Sequence, residues 1–181
     1  MREPYRLRIA VADDVPQLES LIPLSAHALQ ADHYSTEQIE AALGSIFAVD
    51  RQLISDGTYF VVENDGAIAG CGGWSRRQSK YGGDDGRVAP DPLLDPQTDS
   101  ARIRAFFVNP DDARRGIGRA LMAACESAIT QAGFRSVEIV ATLTGELLYS
   151  QFGYETVERY EIAMAGGLSL PVVRLSRQLA E

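Results

Sequence analysis

Cysteine is scarce: Cys71 and Cys125 are the only two in 181 residues, too few for a disulfide scaffold or a four-thiolate zinc site. Histidine is equally sparse, with His27 and His33 alone and no carboxylates clustered at ligand spacing, so no metal is expected. No apolar run reaches the ~18 residues needed to cross a bilayer. The opening Met1-Arg2-Glu3-Pro4-Tyr5-Arg6 lacks the long apolar stretch of a secretory signal. A reducing cytoplasm is the compartment these absences favour. Positive charge is also short. The net charge is −8, which argues against a general affinity for nucleic acid or an anionic membrane.

What is present describes a globular protein. Apolar residues make up 45% and charged residues 23%, which excludes disorder and collagen-like repeats. The length fits a single domain over residues 1–181, able to bury a core without covalent staples. The charge is uneven. Residues 101–135 hold six arginines against Asp111, Asp112 and Glu126, a local +3 that leaves −11 for the remainder. Such an island marks either an anion site or an ordinary solvated helix face.

Periodicity orders the chain. Residues 5–10 read as a strand, and Asp13 is placed to cap a helix carrying Val15, Leu18, Leu21 and Ile22. Ser35 or Thr36, with Glu37, opens a second helix with Ile39, Leu43, Ile46 and Phe47 at helical spacing. Two β-rich runs, 58–63 and 67–74, flank Asn64-Asp65-Gly66 and predict a hairpin. Residues 75–100 contain three glycines and three prolines and are too long for an idle connection, so a segment closing over a ligand is expected. Then come a strand at 102–108, a helix at 117–132 ended by Gly133, a strand at 137–141 and a short helix at 147–152. Strands near 156–163 and 170–175 complete the pattern. Antiparallel pairing early and a β-α-β unit late predict the α/β class, with a mixed sheet.

The chemistry concentrates where the central strand hands over to its helix. After Val108-Asn109-Pro110 come Arg114-Arg115-Gly116-Ile117-Gly118-Arg119, then Leu121, Ala124, Ala128 and Ala132 along one helix face. Glycines at a helix start remove Cβ atoms, so unpaired N–H groups can approach an anion directly. The helix dipole adds roughly half a positive charge there, and arginines can fork onto phosphate oxygens. A Walker loop is excluded because no Gly-Lys-Ser/Thr follows. A dinucleotide fingerprint would want a small residue at Leu121 and an acid closing the next strand, where Glu138 lies too early.

The same stretch resembles the coenzyme A-binding signature of the GNAT superfamily of N-acetyltransferases, Gln/Arg-x-x-Gly-x-Gly/Ala, with Ala113 as a departure at its first position. A second block of that family is similar to Val137-Glu138-Ile139-Val140-Ala141 followed by Leu147-Leu148-Tyr149-Ser150-Gln151-Phe152-Gly153-Tyr154. The family's usual asparagine is replaced by Thr144. The resemblance implies acetyl-coenzyme A lying in a wedge between the strands ending at Val108 and Ala141, which splay apart. It puts pyrophosphate on Arg114, Arg115, Gly116, Ile117, Gly118 and Arg119, with Thr144 nearby, and pantetheine on the main chain of Phe106 and Val108. An N–H near Phe107 or Val108 would hold the oxyanion, and Tyr149 would protonate the leaving thiolate. The acceptor implied is an amine of a small molecule or peptide; a homodimer stays open. The general base is unassigned among Asp84, Asp85 and Glu138. A coenzyme A-binding regulatory module without turnover is the alternative. Cys71 and Cys125 read as packing residues, Trp74 as core, and His27, His33 and Tyr81 as residues near an acceptor pocket.

Overall fold

The segments of alternating polarity join into one sheet. The computed structural model describes residues 5–79 and 89–179; Tyr81, Asp84, Asp85 and the loop glycines Gly82, Gly83 and Gly86 lie outside them. The strands are β1 (Arg6–Ile9), β2 (Tyr59–Asn64), β3 (Ala67–Ser75), β4 (Ala101–Val108), β5 (Ser136–Thr142), β6 (Glu155–Ala163) and β7 (Ser169–Gln178). They lie in the order β1-β2-β3-β4-β5-β7-β6. Only β4 and β5 run parallel; the other neighbours are antiparallel. This is the mixed α/β sheet expected.

Helices cover both faces. On one, α1 (Val15–Leu29), α2 (Thr36–Ala42) and α3 (Arg51–Ser55) pack Leu18, Ile22, Ile39 and Leu53 against Tyr59, Val61, Cys71 and Phe107. On the other, α4 (Ile117–Gln131) and α5 (Leu143–Gln151) set Met122, Cys125, Ile129 and Tyr149 against Trp74, Ile103, Val137 and Ile139. Burying each such aliphatic side chain contributes about 1.5–3 kcal/mol before entropy is subtracted. Both cysteines are fully buried and free. Trp74 is core, edge-on to Phe134 at 6.1 Å.

The β2–β3 hairpin turns where Asn64-Asp65-Gly66 predicts it, with positive φ at Asp65 (50°) and Gly66 (82°). That pair of left-handed residues matches the twist of the flanking strands. Gly70 is required by contact: a Cβ there would lie 2.6 Å from Ile117 Cγ2. The first turn of α4 is thereby pressed onto the sheet.

Several expected details are corrected. Asp13 does not cap α1. It stands exposed in a 3-10 turn (Ala12–Asp14), and α1 begins at Val15 with Pro16 in its first turn. The neighbouring Asp14 instead takes a forked pair from Arg8 (2.7 and 2.8 Å) and the N–H of Val11. Ser35 caps α2 as expected, reciprocally with Gln38, but the helix stops at Ala42. Leu43 is extended and Gly44 left-handed, so Ile46 and Phe47 reach the core from a turn. The buried stripe of α4 is Ile117, Leu121, Met122, Cys125 and Ile129, while Ala124 and Ala128 lie half-buried on its flank and Ala132 is exposed. Larger side chains one position round the helix remove more apolar area from water, so they set its rotation. Finally, α5 starts a turn earlier than 147, because the Thr142 side chain accepts the N–H of Gly145.

Candidate active site

The site begins where the one parallel pair comes apart. Pairing between β4 and β5 covers Ala101↔Val137, Arg102↔Glu138 and Ile103↔Ile139 and then stops. Yet β4 stays paired to β3 as far as Val108, and β5 to β7 as far as Thr142. Each strand holds to its own half of the sheet, so a wedge opens between them, with Arg104 and Val140 the first residues beyond its vertex. A bulge in β4 sharpens the split. The β3 register passes from Cys71↔Phe107 to Gly73↔Arg104, and Ala105 sits at φ 60°. The extra residue puts Arg104 and Phe107 on the α1–α3 face and Phe106 on the α4–α5 face.

An open strand edge leaves main-chain groups seeking partners. At Val108 the N–H donates to the hydroxyl of Ser25, buried on α1, at 3.1 Å. Phe107 is a buried core residue edge-on to Phe47 at 6.0 Å. Its N–H faces the thiol of Cys71, which burial pushes up to about 12.

At the mouth of the wedge, the loop entering α4 is wound by left-handed residues at Arg114 (φ 59°) and Gly116 (φ 88°). The first inward bond of α4 is from the N–H of Ala120 to the carbonyl of Gly116. Among the described residues no acceptor meets the N–H groups of Arg114, Arg115, Gly116, Ile117, Gly118 or Arg119. Six donors without acceptors and a positive dipole end suit this turn to an anion. The three arginines differ in freedom. Arg114 is exposed and has no side-chain partner among the described residues; Arg115 binds the Tyr5 hydroxyl (3.1 Å) beside Asp112; Arg119 donates to Gln151 of α5 (2.6 Å).

The far wall is the start of α5. Thr144 Oγ1 is buried without a hydrogen-bond partner. Tyr149 is buried, its ring edge-on to Phe106 (6.1 Å) and Tyr154 (6.4 Å). Burial foremost, and the nearby Cys125, push its phenol well above the ordinary tyrosine range. Tyr34 ties the α1–α2 corner over this end, donating to the Pro171 carbonyl (2.6 Å) and accepting from the Leu143 N–H (2.9 Å).

Under the vertex, on the α1–α3 face, lies a buried ionic group. Arg104 Nε donates to Asp50 Oδ2 at 2.7 Å and Nη1 to the Ser79 carbonyl at 2.6 Å. Glu138 sits between Arg102 (2.8 Å) and Arg174 (3.5 Å). The histidines stand elsewhere: His27 is paired with Glu40 on the surface and His33 is exposed. Sequence reasoning missed Ser25, Tyr34 and Asp50, whose partners are 83, 137 and 54 residues away. Two arginines in an otherwise apolar central strand were the one local sign that buried carboxylates had to exist.

A family model described as an acetyltransferase (GNAT) domain matches residues 55–156, more than half of the chain. The chain belongs to the GNAT family. The matched stretch contains both sides of the wedge and the loop into α4. Solved GNAT-like structures share the fold across nearly the full length. A GCN5-related N-acetyltransferase from Rhodopseudomonas palustris superposes with a TM-score of 0.73 at 20% identity, covering 99% of this chain and 98% of that one. The PaiA N-acetyltransferase of Thermoplasma acidophilum, solved in complex with coenzyme A, gives 0.68 at 13%, covering 96% and 98%. YncA from Salmonella typhimurium, solved with its cofactor acetyl-CoA, gives 0.63 at 16%, covering 98% and 95%. No curated protein matches the chain significantly. Among the described residues no cluster could hold a metal ion, and no helix is long and apolar enough to cross a membrane. The GNAT cofactor fits what is present among the described residues: N–H groups without acceptors at the start of α4, an edge of β4 that β5 has left, and a buried Thr144 hydroxyl lacking a partner.

Proposed function

We propose that the protein is an acetyl-CoA-dependent N-acetyltransferase that acts on a primary amine of a small molecule or peptide. The observation that carries this reading is the wedge between β4 and β5, opening beneath six unpaired N–H groups at the start of α4. Acetyl-CoA supplies an activated thioester. The N–H groups of residues 114–119, with Arg114 and Arg119, hold its pyrophosphate. The edge of β4 at Phe106 and Val108, whose Val108 N–H is already held by Ser25, offers its remaining main-chain groups to the pantetheine arm, as a sheet edge does to an added strand, and Thr144 Oγ1 adds a polar contact.

Ser25 has a part in this scheme. Its oxygen accepts the Val108 N–H, so its own proton stays available, and the polarised hydroxyl can donate to negative charge developing on an acyl oxygen. Tyr149 keeps its proton throughout the working pH range because burial disfavours the phenolate. It is therefore an acid for the departing thiolate. Since its pKa lies above that of an alkyl thiol, transfer must rely on alignment at the moment the C–S bond breaks. Two unpaired cysteines and a small-molecule or peptide amine acceptor suit a cytoplasmic enzyme with no nucleic-acid or membrane partner; a homodimer is compatible with this reading.

The test is thiol release from acetyl-CoA against a panel of amines. Tyr149→Phe is expected to lower kcat by about 100-fold or more with little change in Tm, because the hydroxyl has no hydrogen bond among the described residues to lose. No alkaline limb from Tyr149 should appear in the pH–rate profile below pH ~10. Coenzyme A binding without turnover of any amine would instead identify a regulatory module. Arg114→Ala should weaken coenzyme A binding a few-fold, more at low than at high salt. Arg115→Ala should do less, because that guanidinium is already engaged by Tyr5 and Asp112.

A further inference from the structure

The ionic group beneath the wedge has more donors than its carboxylates can use. Asp50 is spent: Oδ2 accepts from Arg104 and Oδ1 from the N–H of Leu53. Glu138 is shared between Arg102 and Arg174, and Arg174 also meets Glu158 at 2.9 Å. Yet among the described residues Arg104 Nη2 is buried with no hydrogen-bond partner, on a side chain only 2% exposed, and Nε of Arg102, two residues earlier on the same strand, is buried and unpartnered as well. A buried guanidinium N–H left without an acceptor is costly, and native structures rarely keep one without a use. Two such donors from neighbouring same-face positions of one strand call for an anion.

We propose that Arg104, with Arg102, receives a carboxylate of the acceptor, so that the amine substrate is of the α-amino-acid class. Position supports this. Arg104 is the first residue of β4 beyond the vertex, where the two strands have just parted, and it projects to the α1–α3 face, opposite α4 and its anion cradle. The cofactor's own phosphates are too far to serve it. From Arg104 to Val108 the strand runs about 13 Å, and the cradle begins only at Arg114. A guanidinium fork matches a planar carboxylate. Glu138 Oε1, on β5 in register with Arg102 and buried without a partner among the described residues, is an acceptor for the substrate's ammonium group. One site would thus read both charges of a zwitterion.

This inference rests on the acetyltransferase reading, and the experiment separates the two. Calorimetry on the coenzyme A-loaded protein uses the standard α-amino acids as one arm and their α-amides as the other; thiol release from acetyl-CoA is then measured with the same compounds. For the amino acids that respond, the free carboxylate should bind and react about 10- to 100-fold better than the amide, with the difference in KM. Arg104→Lys keeps a positive charge facing Asp50 while losing the fork. It should bring the carboxylate-to-amide ratio close to one, with coenzyme A affinity as the check that the wedge is intact. If amides serve as well as acids, the inference is wrong while the acetyltransferase reading stands. If Arg104→Lys lowers kcat equally for acids and amides, Arg104 acts on the thioester instead, and the inference is again wrong. If coenzyme A does not bind, both readings fail.

Discussion

Gly118→Glu is expected to abolish binding of acetyl-CoA: calorimetry at concentrations that saturate the wild type should detect no heat, an affinity loss of at least about 100-fold. Two effects combine. Gly118 lies in the first turn of α4, among the N–H groups that lack acceptors. A carboxylate there would be drawn to those N–H groups and to the dipole end, filling the cradle with its own negative charge. A Cβ at this position would also lie 3.1 Å from Leu148 Cδ2. That contact involves the end of a flexible side chain, so the fold should yield by a small shift rather than unfold. Gly118→Ala separates the two contributions. It keeps the steric step and omits the charge, and should cost only a modest part of the affinity. Equal losses in both variants would mean that space, not charge, governs the cradle. Normal affinity in Gly118→Glu would remove the pyrophosphate from this end of α4 altogether.

How much of this was legible beforehand follows the range of the interactions. The β2–β3 hairpin and the run from β4 through the glycine loop into α4 are set by neighbours in the chain. Turn residues with positive φ, an alternating strand and a glycine-rich helix start are local signals, and the structure follows them. The rotation of α4 departs from its alanine spacing because Met122, Cys125 and Ile129 bury more surface than the alanines do. Asp13 does not cap α1 because the cap position falls to Asp14, whose carboxylate is taken by Arg8 of the preceding strand. Asp50 was invisible as a site residue. Nothing near it in sequence distinguishes a five-residue helix capped by an aspartate from a surface turn, and its value comes from Arg104, 54 positions later. Glu138, one of three candidate bases, proves to be a shared carboxylate between two guanidiniums, while Asp84 and Asp85 lie outside the described residues. Asp50 and Glu138 are thus defined by long-range pairings that residue order does not encode.

Arg104→Met should destabilise the protein by about 3–5 kcal/mol, because it leaves the Asp50 carboxylate buried without its counter-ion. The side chains of Arg104 and Asp50 are 2% and 0% exposed, so water cannot readily take the place of the lost guanidinium. The double variant Arg104→Met/Asp50→Leu should recover most of that loss, since two apolar side chains of similar volume have no desolvation penalty to offset. Recovery should stop short by about 1 kcal/mol, because Asp50 also caps α3 through the Leu53 N–H. Denaturant unfolding of the wild type, both single variants and the double variant gives the coupling energy directly. A coupling near zero would show that the pair contributes nothing to the fold. The expected pattern carries a further consequence. If apolar residues hold this corner nearly as well as ions do, stability alone does not account for two buried charges at the vertex of the wedge. The arginine then has to be explained by what it does there, and its Nη2 is the part of it that has no partner among the described residues.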